Sequence, residues 1–90
     1  MSRRIILNGK RLKDKYTVKE YLMELLLIDG PTGTNLDAYY DVFSEYNEEV
    51  IFILKHDEIQ EIINEPYAYK FLLLLGRAAE ENPNIKILFR

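Results

Sequence analysis

The sequence predicts an α/β fold: a three-stranded parallel sheet with about four helices packed around it. Three short runs rich in β-branched and aliphatic residues, at 4–7, 49–55 and 85–89, read as strands. The long stretches between them repeat apolar residues at helical spacing, and connections of that length favour right-handed parallel crossovers. The middle run, Glu-Val-Ile-Phe-Ile-Leu-Lys, is apolar without alternation. That is the pattern of a strand buried on both faces of a sheet covered by helices. Ninety residues suffice for one core, so 1–90 is read as a single domain.

In chain order, the first strand ends at Asn8-Gly9, a turn pair. Thr17-Val18-Lys19-Glu20 matches a capping box, in which the threonine and the glutamate satisfy each other's backbone amides. The helix that follows has Val18, Tyr21, Leu22, Leu25 and Ile28 on one side, and Gly30-Pro31 stops it. After the second strand, His56 stands alone, without a second histidine or a cysteine, and reads as an ordinary loop residue. A short helix is expected next, with Ile59, Ile62 and Ile63 inward and Asp57 able to cap it. Pro66 suits the start of a longer helix, whose inner side is Tyr67, Phe71, Leu74, Leu75 and Ala78. Gly76 inside it costs about 1 kcal/mol relative to alanine, and close packing on the sheet is the expected reason. Asn82-Pro83-Asn84 ends that helix before the last strand.

The second of the two helices between the first two strands carries the chemistry. Gly33 supplies a permissive loop, Asn35 is a good N-cap, and the helix starts near Leu36. Leu36, Tyr39, Phe43 and Tyr46 gather on a core-facing side. Asp37, Asp41 and Glu45, four residues apart, form an outward stripe of carboxylates with Tyr40 at its border. Like charges at that spacing destabilise a helix by roughly 0.2–0.5 kcal/mol per pair. The helix dipole relieves only Asp37, in the first turn. Such a ridge, with an aromatic at its edge, has the shape of a group that imitates a phosphate backbone.

Gly33, Asn35, Leu36, Asp37, Ala38, Tyr40 and Asp41 give the chain a resemblance to barstar, the intracellular inhibitor of the ribonuclease barnase, whose family carries a Gly-x-Asn-Leu-Asp-Ala-x-aromatic-Asp run. The order of elements is similar along nearly all of the chain. The resemblance implies a 1:1 complex with a barnase-like extracellular ribonuclease. Asp41 would insert into its phosphate pocket and Asp37 would pair with a neighbouring basic residue. Gly33, Asn35, Ala38 and Tyr40 would supply surrounding contacts. Glu45, the next carboxylate of the stripe, is read as a further contact from its spacing alone. Two departures bear on partner choice. Pro31 and Thr32 stand where the family has aromatics, and Arg77 falls where it has an acidic residue.

Charge is segregated behind the net −3. Residues 1–19 hold Arg3, Arg4, Lys10, Arg11, Lys13, Lys15 and Lys19 against Asp14 alone; from 20 to 65 Lys55 is the only base among many acids. An acidic surface repels nucleic acid and attracts a basic protein, so no direct nucleic-acid binding is expected. The basic start lacks interleaved aromatics of a dedicated site. No apolar run approaches the length that spans a membrane, and the basic start is followed by too short an apolar run for a signal peptide. With no cysteine, the expectation is a cytoplasmic protein, monomeric when free, without metal or cofactor. Asp37 and Asp41 could serve as acid and base, but no nucleophile, phosphate loop or histidine ligand spacing accompanies them, so the chain is read as a non-enzyme. The alternative is an acidic interaction module for a different basic protein.

Overall fold

The computed structural model describes residues 3–26 and 36–90. Among them the order is β1 (Arg3–Ile6), a 3₁₀ helix (Gly9–Leu12), α1 (Lys15–Leu26), α2 (Leu36–Ser44), β2 (Val50–Leu54), α3 (His56–Ile62), α4 (Pro66–Glu81) and β3 (Ile85–Phe89). The strands form one parallel sheet with β2 in the centre, Phe52 pairing with Ile5 on one side and Ile87 on the other. The expected fold class, parallel strands and four helices are found.

Both crossovers step the same way across the sheet, and right-handed connections that do so lie on the same face. The core agrees. One cluster takes Ile5, Val50, Phe52, Leu54 and Ile85 from alternate sheet positions and packs them with Val18, Leu22, Tyr39, Phe43, Phe71 and Leu75 from helices. Every buried apolar side chain of a described helix belongs to that cluster, whereas Ile53, on the other face, is buried outside it. The apolar run of β2 therefore predicts its burial correctly, but among the described residues the helices cover one face and not both. A central strand is also shielded by the residues beside it on the two neighbouring strands, which a one-dimensional pattern cannot distinguish from a second helical layer.

Local chemistry sets the joins. The Asn8 side chain accepts from the Lys10 amide at 3.0 Å and starts the 3₁₀ helix, so the turn pair becomes a cap. The Asn8 amide donates to the Tyr21 hydroxyl at 2.9 Å, and the Gly9 amide donates to the Glu58 carboxylate, tying this segment to α1 and α3.

The capping box at Thr17 is corrected. Helix α1 begins three residues earlier, at Lys15, and Asp14 is its cap, one carboxylate oxygen accepting from the amides of Tyr16 and Thr17 at 3.0 and 2.9 Å and the other from the Thr17 hydroxyl at 2.9 Å. Aspartate competes for the same role as threonine, and here its carboxylate reaches more donors. Val18, Tyr21 and Leu22 are buried as predicted, with Leu25 packed beside them. Ile28, Gly30 and Pro31 lie outside the described residues.

Helix α3 buries Ile62 and partly Ile59, but Ile63 is 71% exposed, a correction. The helix ends at Ile62, and Ile63, its C-cap, keeps helical backbone angles while its side chain stays in solvent. Asp57 lies inside the first turn instead of capping it, and Lys55 takes the cap position. Pro66 opens α4 as expected, and Phe71, Leu74, Leu75 and Ala78 are buried. At Gly76 nothing stands within 4 Å of where a Cβ would lie, so close packing is not the reason for this glycine.

Candidate partner-binding site

Helix α2 is anchored on its inner side by aromatic packing. Tyr39 and Phe43 are buried; the Tyr39 ring meets Phe71 edge-on at 6.4 Å, and Phe43 meets Phe52 at 5.9 Å and Phe71 at 6.3 Å. Edge-to-face pairs of this kind add about 0.5–1.5 kcal/mol each beyond the area they bury.

The C-terminal end of α2 is fastened by Asn82, the residue that ends α4. Its buried amide nitrogen donates to the carbonyls of Phe43 and Tyr46, at 2.8 Å each, and its oxygen accepts from the Asn84 amide at 3.0 Å. A helix end leaves carbonyls short of donors; the Phe43 carbonyl, which also accepts from the Tyr46 amide at 3.2 Å, gains a second donor from another element in Asn82. In the sequence Asn82 reads only as a helix stop, because nothing local shows that its amide is spent on a distant helix.

On this support the outer side of α2 is presented to solvent. Asp37, Asp41 and Glu45 are all exposed, one helical turn apart, while Ala38 and Tyr40 are half-buried at the border. Glu45 lies one residue beyond the helix, yet its amide still donates to the Asp41 carbonyl at 3.3 Å, so the stripe keeps the helical step. The Ser44 hydroxyl donates to the same carbonyl at 3.1 Å. Gly33 and Asn35 lie outside the described residues, as do Pro31 and Thr32.

Beside the carboxylates an open cleft of about 610 Å³ runs between α2 and α4. Leu36, Leu73 and Leu74 give it an apolar lining; α2 contributes Asp37, Tyr40 and Asp41, and α4 contributes Lys70 and Arg77. The Arg77 guanidinium stands 5.7 Å from the centre of the Tyr40 ring, within cation–π range. A hydrogen bond to the Glu81 carboxylate, then burial, hold the Tyr40 phenol above its ordinary value, with Arg77 opposing. Tyr40 is thus the hinge between the acidic face of α2 and the basic residues of α4.

Lys70 and Leu73 are members of this site that sequence reasoning did not single out. Their signal was present in the spacing of residues 70, 73, 74 and 77, which share a side of α4. That the side borders α2 depends on the packing of two helices far apart in sequence. Among the described residues no group of three or more histidine, cysteine or acidic side chains could hold a metal ion, and no helix is long and apolar enough to cross a membrane. The arrangement suits recognition of a surface with charges of both signs. No family model and no curated protein sequence matches this chain.

Proposed function

We propose that the chain is a barstar-like protein inhibitor of a secreted, basic, guanyl-preferring ribonuclease. The supporting observation is the placement of Asp37 and Asp41, exposed one turn apart at the margin of an apolar cleft, on a helix held rigidly from behind. In this reading Asp41 and Asp37 occupy positions of substrate phosphates, Tyr40 packs against the rim, and Ala38 leaves room for close approach. Gly33 and Asn35 complete the contact set that the resemblance implies, and Glu45 extends the carboxylate stripe beyond it. The action is occlusion in a 1:1 complex, not catalysis, and it would protect the cytoplasm of the cell that makes both proteins.

Lys70 and Arg77 favour a second reading, an interaction module for a different basic protein. Their charge lies in the same cleft as Asp37 and Asp41, so a partner filling the cleft must offer acidic groups besides basic ones. A purely cationic active site would meet repulsion there.

Titration against a barnase-like ribonuclease, following RNA cleavage, separates the two. The inhibitor reading expects stoichiometric inhibition by the wild type. Asp41→Ala should lose about 2–5 kcal/mol of affinity, a range drawn in part from barnase and barstar themselves, because it leaves a buried cation unpaired. Folding stability should be unchanged or slightly higher, since the repulsive pairs with Asp37 and Glu45 are relieved. Absence of inhibition in large molar excess would reject the nuclease and leave the module.

A further inference from the structure

The outer face of the sheet carries a pattern that the site on α2 does not use. Partners in a parallel ladder share a face, so Arg4, Ile51 and Lys86 form one row and Ile6, Ile53 and Leu88 the next. Extending the alternation by one step places Lys55 and Arg90 beyond them. Ile53 is only 3% exposed, while its flanking neighbours Ile6 and Leu88 are 55% and 41% exposed. Arg4, Lys55, Lys86 and Arg90 are all exposed. The nearest carboxylate in register, Glu49, lies a step past the Arg4 row. The result is an aliphatic strip with cations at both ends.

Parallel sheets normally bury both faces under helices. Here β2 is apolar on both sides, yet among the described residues every buried apolar side chain of a helix belongs to the cluster on one of them. A helix about 10 Å wide fits over three strands about 4.8 Å apart. A second copy placed face to face would set the same four cations against each other. A nucleic acid would find no aromatic in these rows on which to stack a base. Charge complementarity selects an occupant with an apolar stripe bordered by carboxylates. We infer that the outer sheet face docks an acidic amphipathic helix of a partner protein, through Ile6, Ile53 and Leu88 with Arg4, Lys55, Lys86 and Arg90 around them. This face is on the far side of the sheet from α2, so the inference is independent of the inhibitor reading.

The test uses the whole chain and a labelled synthetic helix of about 18 residues, five turns, with leucines on one side and glutamates along both borders of that stripe. Fluorescence anisotropy at low salt should show saturable binding. Ile6→Glu with Leu88→Glu should weaken it at least about tenfold, with the circular dichroism spectrum retained. Arg4→Glu with Lys86→Glu should weaken it comparably at low salt and less at high salt, and this pair alone decides if the first does not fold. No saturation by the wild type, or equal binding by the variants, overturns the inference. So does equal binding of a peptide whose glutamates are replaced by lysine. Tighter binding to phosphatidylglycerol vesicles, lost in the same variants, would assign the face to a lipid surface instead. A dimer in sedimentation, lost in the same variants, would assign it to a second copy.

Discussion

At Gly9 an added methyl would stand 2.8 Å from the Glu58 carbonyl oxygen and 3.2 Å from Ile62 Cγ2, both parts of a packed helix that cannot easily retreat. At Gly76, in the middle of α4, the same methyl would meet nothing within 4 Å. The two glycines therefore carry opposite expectations. Gly9→Ala should destabilise by about 1–3 kcal/mol, because α3 must shift away from the 3₁₀ helix. Gly76→Ala should stabilise by about 0.5–1 kcal/mol through the restricted unfolded chain and better helix propensity. Urea unfolding of the two variants beside the wild type checks both signs at once. A destabilised Gly76→Ala would mean that an unseen constraint holds this glycine.

At the scale of the element, α1 shows what a linear reading can and cannot see. Its buried side was legible because periodicity depends only on the chain itself, and the same holds for Tyr39 and Phe43 in α2 and for Phe71 and Leu75 in α4. Its start was not, because Asp14 and Thr17 are both competent caps and the choice rests on which carboxylate or hydroxyl geometry reaches the free amides. The stripe at Asp37, Asp41 and Glu45 was legible for the same periodic reason. The basic wall of the cleft was not, since Lys70 and Arg77 approach α2 only through the packing of α4 against it.

The cap makes its own prediction. The Thr17 amide and then its hydroxyl, both donating to Asp14, hold that carboxyl below its ordinary value. A folded-state pKa lower than the unfolded one means stability that is complete above the unfolded value and is lost as pH falls through the folded one. Asp14→Ala should thus lower Tm at neutral pH, and the gap to the wild type should narrow as the pH is taken below 4. Thermal unfolding followed by circular dichroism at pH 7 and pH 3 checks this. A gap that stays constant would show that the cap works through its geometry alone.

For the whole molecule, the net charge of −3 hides a polarity between two surfaces. Asp37, Asp41 and Glu45 stand on the helical layer, and Arg4, Lys55, Lys86 and Arg90 on the outer sheet face. If α2 docks on a basic nuclease, this polarity orients the encounter before any contact forms, and its reach is the Debye length. That length falls from about 30 Å at 0.01 M salt to about 8 Å at 0.15 M, less than the molecule's shortest dimension of 22 Å. The association rate should then drop by about tenfold or more over this range, while dissociation, governed by short-range pairs, changes far less. Arg4→Glu with Lys86→Glu tests the sign from the opposite side. Removing cations remote from α2 should raise the association rate at low salt and leave dissociation unchanged. Stopped-flow kinetics resolves the two rates separately. A dissociation rate that moved with those two positions would mean that the nuclease reaches the sheet face, and that the two surfaces are not separate.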